Sequence, residues 1–128
     1  MQEKTRTFRD IIAWKRAHEL VLMVYGVTKK FPQCERYSLT DQFLRAVISI
    51  PANIAEGYAR LSKAEKLRFL NIAQGSLEEC RYYIILSFDL GYIIEDEYSM
   101  LYLKIEETSK LLNSYCKGIR EKDFSSDL

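Results

Sequence analysis

The chain's 128 residues and 48% apolar content suit one well-filled core, and residues 1–120 are expected to form a single domain. Its 19 Lys and Arg residues against 18 Asp and Glu leave a formal charge of +1, which excludes a global field strong enough to announce a nucleic-acid or membrane partner; such binding would need a local patch or repetition in an oligomer. Cys34, Cys80 and Cys116 are far apart and lack CxxC spacing, so they read as buried thiols in a reducing compartment, while the polar start and the lack of any apolar run near ~18 residues point to a cytoplasmic protein without membrane contact.

In chain order, apolar residues at Ile11, Trp14, Ala17, Val21, Val24 and Phe31 recur every three or four positions and predict an amphipathic first helix. Thr7 with Asp10 resembles a capping box at its start, and Lys29, Lys30 and Pro32 mark its end. Gly26 within it reads as tolerated. A second capping-box pattern, Ser38 to Asp41, opens a helix carried by Leu39, Phe43, Val47, Ile50 and Ile54. Pro51 removes a backbone donor inside it, but the apolar phase continues across the proline, so a kinked helix is expected rather than a restart at Ser49. Gly57 to Arg60 reads as a frayed end and link.

Ser62 to Glu65 caps a third helix through Leu67, Leu70, Leu77, Ile84 and Phe88, closed by Gly91 in a left-handed conformation. Glu95, Asp96 and Glu97 suit the positive end of a fourth helix, through Leu101, Ile105, Leu112 and Tyr115, that closes near Gly118. Residues 121–128 are polar and expected to be a disordered tail. Four helices of about 18–28 residues on short links predict an all-α, antiparallel up-down-up-down four-helix bundle. From Tyr82 to Phe88 nearly every residue is apolar, more than one core-facing stripe needs, so Tyr82, Tyr83, Ile85 and Leu86 are expected at an oligomer interface; tyrosines covering the rim of the core are the alternative.

Catalytic and metal chemistry find little support. A di-metal bundle wants two Glu-x-x-His pairs, whereas the one histidine, His18, has no Glu three residues before it, and Glu56 with Glu79 alone does not make such a centre. No nucleophile elbow, phosphate loop or dinucleotide fingerprint is present, so no catalytic residue, metal or cofactor is assigned. More specific is a polar stripe on the second helix, Arg45, Ser49, Asn53, Glu56 and Arg60. One reading is a buried network in which Ser49, Asn53 and Glu56 meet Ser76 and Glu79 of the third helix, with Gly57 and Gly75 allowing close contact; the other is an exposed binding face. Arg60, Lys63, Lys66 and Arg68 crowd the following link against Glu65, which with Arg45 makes a candidate nucleic-acid site or, alternatively, a solvated surface.

Phe8-Arg9-Asp10, Trp14-Lys15, Phe31-Pro32, Tyr37 to Gln42, Arg45-Ala46, Ser49 to Gly57 and Ala73 to Glu79 together resemble the bacterial four-helix-bundle proteins called 23S rRNA intervening-sequence proteins. The likeness spans Phe8 to about Lys117, and its most specific part is Ser49-Ile50-Pro51-Ala52-Asn53-Ile54-Ala55-Glu56-Gly57. It implies a left-handed bundle assembling into a homo-oligomeric ring, a pentamer, with no enzymatic activity. It also implies kinship with the accessory proteins of diversity-generating retroelements, whose basic surfaces bind nucleic acid and a reverse transcriptase, although this chain is near neutral where those are strongly basic. The expected function is therefore a non-enzymatic oligomeric bundle that binds RNA or DNA; the alternative is a protein-protein interaction scaffold.

Overall fold

The computed structural model describes residues 5–122. Four helices carry them, α1 (Ile12–Thr28), α2 (Leu39–Ala59), α3 (Lys63–Asp89) and α4 (Glu95–Glu121), with 3-10 turns at Phe8–Asp10 and Gln33–Glu35 and no strand among the described residues. Each helix packs on its sequence neighbours and α4 returns to α1, which makes an all-α four-helix bundle. Contacts run in opposite senses along the paired helices. On α2 and α3, Phe43 meets Tyr83, Ser49 meets Ser76 and Gly57 faces Leu70. On α3 and α4, Arg81 pairs with Glu106 and Phe88 packs on Tyr98, while Arg16 and Glu19 of α1 reach Glu107 and Lys104 of α4. Neighbouring helices are therefore antiparallel.

The three-to-four-residue apolar spacing converges on the bundle axis. Leu20 and Val24, Phe43, Ile50 and Ile54, Leu70, Leu77 and Ile84, and Leu101, Ile105 and Leu112 are all but completely buried. Each contributes roughly 1.5–3 kcal/mol relative to exposure. Nearer the surface, α4 is tied to α1 and α3 by cross-helix ion pairs such as Lys104 with Glu19 and Arg81 with Glu106. Such exposed pairs contribute ~0–1 kcal/mol each, so the apolar layers dominate.

Several helix ends differ from their sequence signals. The Thr7 and Asp10 capping box is present, but it caps the Phe8–Asp10 turn; α1 starts after Ile11, which has no capping side chain, and stops at Thr28, ahead of Pro32. Ser38 makes no side-chain cap on α2: Glu35, brought near by the preceding 3-10 turn, accepts from the Leu39 N–H at 3.3 Å instead. The link expected from Gly57 begins at Arg60, because α2 runs unbroken through Pro51 as far as Ala59. Ser62 Oγ does cap α3, accepting from the Glu65 N–H at 3.1 Å. Gly91, at φ +76°, ends α3: its N–H bonds the Phe88 carbonyl while Tyr92 N–H bonds that of Ser87, the paired pattern that a left-handed residue permits. Gly118 does not close α4, which continues to Glu121, and the rest of the expected tail beyond residue 122 lies outside the described residues. Among the described residues no helix is long and apolar enough to cross a membrane.

α2 and α3 make the most extensive contact of any pair. Gly57 is buried in that seam: a Cβ there would lie 3.2 Å from the Lys66 carbonyl oxygen and 3.3 Å from Leu70 Cγ. Gly75, expected to share this role, is exposed, and a Cβ at that position would meet nothing within 4 Å, so only one glycine sets the spacing. Gly57→Ala is accordingly expected to destabilise the protein by ~1–3 kcal/mol, since the Lys66 carbonyl, a backbone group of a packed helix, would have to shift by a few tenths of an ångström. Gly75→Ala should be neutral or stabilising by up to ~1 kcal/mol, from helix propensity alone. Urea denaturation of the two variants checks the contrast.

Candidate nucleic-acid interface

The α2 segment from Ile48 to Arg60 sends different residue types in three directions. Ile50, Ile54 and Gly57 face the core. Toward α3, Ser76 Oγ donates to Ser49 Oγ at 2.7 Å, and Asn53 Nδ2 donates to both Ser49 Oγ, at 2.9 Å, and the Ser49 carbonyl, at 2.8 Å. Toward α1, Ile48, Pro51, Ala52 and Ala55 line a groove with Trp14, His18 and Val21. The polar network therefore holds Ser49, Asn53 and Ser76, but not the two carboxylates expected in it. Glu56 is exposed and pairs with Arg60 at 2.6 Å, one turn along its own helix. Glu79 lies exposed on α3 without a hydrogen bond or ion pair among the described residues.

The five cations singled out in the sequence do not form one open patch. Arg45 is exposed and pairs with Asp41 at 3.0 Å. It lies about 22 Å along α2 from Arg60 at 1.5 Å per residue. Arg60 and Arg68 do converge, their guanidinium carbons 4.7 and 4.8 Å from the centroid of the Phe69 ring, but Glu56 and Glu65 pair with them. Lys66 turns inward: its Nζ donates to the Tyr58 carbonyl at 2.9 Å and to that of Gly57 at 3.4 Å, capping the C-terminal end of α2. Partial burial lowers the Lys66 pKa, with the charge of Lys122 adding to the effect. Lys63 alone of the five is free of any ion pair or hydrogen bond among the described residues.

The antiparallel packing adds cations that the linear sequence keeps apart. Tyr58 Oη donates to the Thr5 carbonyl at 3.1 Å, which brings the segment bearing Arg6 and Arg9 to the end of α2. Thr5, Ile11 and Ala13 share a cleft with Ser114, Tyr115 and Gly118, which places Lys117 and Arg120 at this end too. The side chains of Arg6, Arg9, Lys117 and Arg120 make no ion pairs among the described residues; of the acids at this end, Asp10 is turned to the Arg6 and Thr7 N–H groups, and Glu121 ends α4. Those backbone bonds, foremost the one from Arg6, hold the Asp10 carboxyl below the usual range. At the opposite end of the bundle, Asp89, Glu95 and Asp96 carry no ion pair among the described residues, and Glu97 is held by Lys30 and by the Ile94 N–H. The hydrogen bond from Lys30 is the main reason that the Glu97 pKa is lowered. The end that carries Arg6 and Arg120 is the richer in cations, while the opposite end mixes its acids with Lys29, Lys30 and Arg36, an unevenness that a net charge of +1 conceals.

A family model of the 23S rRNA-intervening sequence protein matches residues 9–114. The chain belongs to that family. A solved structure of a family relative, a protein of unknown function from the S23 ribosomal protein family of Bacteroides thetaiotaomicron VPI-5482, is similar at 27% identity with a TM-score of 0.76, over 83% of this chain and 96% of that one. A comparison with curated proteins gives no match. The family span contains the whole Ser49–Gly57 element as well as Arg9 and Lys63, while Arg6, Lys117 and Arg120 lie beyond it.

Of the residues expected at an oligomer interface in this family member, Tyr82 is 57% exposed and Ile85 36% exposed, whereas Tyr83 and Leu86 are half-buried against their own core. Tyr83 packs on Phe43 with ring centroids 5.9 Å apart. Outward apolar surface also occurs elsewhere, at Leu22 on α1 and at Met100 and Leu103 on α4. Cys80 and Cys116 are buried, and desolvation pushes both thiols above their ordinary pKa; Cys34, expected to be buried, is exposed because it lies in the turn between α1 and α2. No cluster of His, Cys, Asp or Glu among the described residues could hold a metal ion. His18 stacks on Trp14, with ring centroids 5.1 Å apart.

Ser76→Ala removes the donor of the hydrogen bond to Ser49 across the α2–α3 seam and is expected to cost about 1 kcal/mol in urea denaturation. Lys66→Ala should also lower stability, by uncapping the Gly57 and Tyr58 carbonyls, whereas Arg45→Ala should stay within ~0.5 kcal/mol of the parent.

Proposed function

We propose that this protein is a non-enzymatic, cytoplasmic, self-associating helical bundle that binds nucleic acid, RNA before DNA, through the basic end of the bundle. The observation carrying this reading is the gathering at that end of five cations without an ion pair among the described residues, Lys63, Arg6, Arg9, Lys117 and Arg120, which outnumber its acids without one, Asp10 and Glu121. Phosphates are drawn by uncompensated cations, and paired ones must first give up their carboxylates. Arg60 and Arg68 contribute at the rim, while Arg45 and Lys66 do not. In the pentameric ring implied by the family resemblance, several such ends would act together, and modest patches would sum to a polyanion site. Of the α3 residues expected at an interface, Tyr82 and Ile85 are the exposed ones available for contact between copies. The alternative, a protein-binding scaffold without nucleic acid, draws on the exposed apolar side chains of α1 and α4.

Fluorescence anisotropy of labelled RNA across a salt series tests the reading. The logarithm of affinity is expected to fall linearly with the logarithm of salt, and each of Lys63→Ala, Lys117→Ala and Arg120→Ala should reduce the slope by about 0.7, the single-strand value per phosphate contact. Arg45→Ala should leave it unchanged. A flat salt response, or no binding at low salt, would defeat the proposal in favour of the scaffold, and a monomer in sedimentation at micromolar concentration would defeat self-association.

A further inference from the structure

The groove between α1 and α2 has a volume of about 330 Å³, and its lining, which includes Phe8, Trp14, His18, Val21, Ile48 and Ala52, is almost wholly apolar. It has an aromatic side: the His18 imidazole lies nearly parallel to the Trp14 indole, at an interplanar angle of 8°, and Phe8 meets the indole edge-on at 5.1 Å. The opposite wall is low because Ala52 and Ala55 are small, and Ile48, Ala52 and His18 are exposed. The groove is continuous with the basic end, since the turn that supplies Phe8 also carries Arg9, with Arg6 just before it.

An almost wholly apolar lining, in which only His18 and Trp14 carry ring nitrogens, offers few hydrogen bonds to the edges of a ligand. It can receive a flat apolar face. A ligand using both features must carry flat rings and regularly spaced negative charges, with the rings free to leave one another. We infer that the groove seats a base of single-stranded nucleic acid whose phosphates lie on the basic end. This rests on the nucleic-acid reading above and narrows it. A duplex keeps its bases stacked and paired, so it meets only the cations. With only the ring nitrogens of His18 and Trp14 at hand to meet a base edge, the site discriminates little among bases, and its preference is for strandedness rather than for sequence.

Trp14 is the only tryptophan of the chain, so its emission reports on this groove alone. The probes are a 12-nucleotide oligouridylate and a 12-base-pair RNA duplex, each labelled for anisotropy and titrated at low salt. The single strand is expected to change Trp14 emission saturably, in step with anisotropy, while the duplex binds without moving it. Ala52→Gln adds neutral bulk at an exposed helix position; it should weaken single-strand binding about tenfold and leave duplex binding unchanged. Salt-dependent binding of the single strand with Trp14 emission unmoved and the Ala52→Gln affinity unaltered would overturn the groove assignment and leave the basic-end reading standing. Binding of neither probe would overturn both. A change of sedimentation behaviour in Ala52→Gln would assign the groove to a second copy of the chain and so overturn it as well.

Discussion

The close approach of α2 to α3 at Gly57 is the constraint from which the functional end of the molecule follows. Without a side chain at position 57, the Lys66 carbonyl and Leu70 can lie against the α2 backbone, and the short link from Arg60 to Ser62 can turn the chain directly into α3. Lys66 then lies close enough to cap the carbonyls that the end of α2 leaves open. Farther along the seam, Ser76 joins α3 to Ser49 of α2 by a hydrogen bond, with Asn53 bonded to Ser49 on the same helix, where α4 is joined to its neighbours by ion pairs at the surface. Small hydroxyls and a missing side chain let two backbones come near, and long charged side chains do not. The Ser49–Gly57 element is thus first a packing device.

That device also explains why one nine-residue stretch can serve several purposes. A helix turns 100° per residue, so adjacent positions must face different neighbours. In Ser49 to Gly57, isoleucines and glycine fall on the core, serine and asparagine on α3, and proline and alanines on the α1 groove. Pro51 costs a backbone hydrogen bond, and the buried Ile50 and Ile54 on either side hold the helix in a single phase through it.

The fold was largely legible in the sequence, because the apolar spacing of four long segments reports directly which residues meet at a common axis. Gly91 was legible for a local reason, since a left-handed residue after a helix calls for glycine. Other features depend on direction or on distant neighbours. The Ser38 pattern looks like a cap, but Glu35 from the turn before it takes that place. Lys66 counts as a surface charge in any tally, and only the geometry of the seam shows it turned inward. Gly57 and Gly75 look alike until their places on the helix surfaces are known. For the candidate site, Lys63 and the rim arginines could be picked out because they are close together in the chain. Arg6, Arg9, Lys117 and Arg120 could not, since they come from opposite ends of the chain and meet only when antiparallel helices bring both termini of the described segment together.

With an excess of cations at one end and the acids Asp89, Glu95, Asp96 and Glu97 among those of the other, the charge is unevenly spread along the bundle at almost no net charge. A polyanion would exert little net pull on such a body from a distance but would exert a torque on it, turning the cation-rich end inward before contact. Orientation would precede capture. The same unevenness means that the protein should be retained weakly by both cation- and anion-exchange surfaces at neutral pH, each taking hold of a different end.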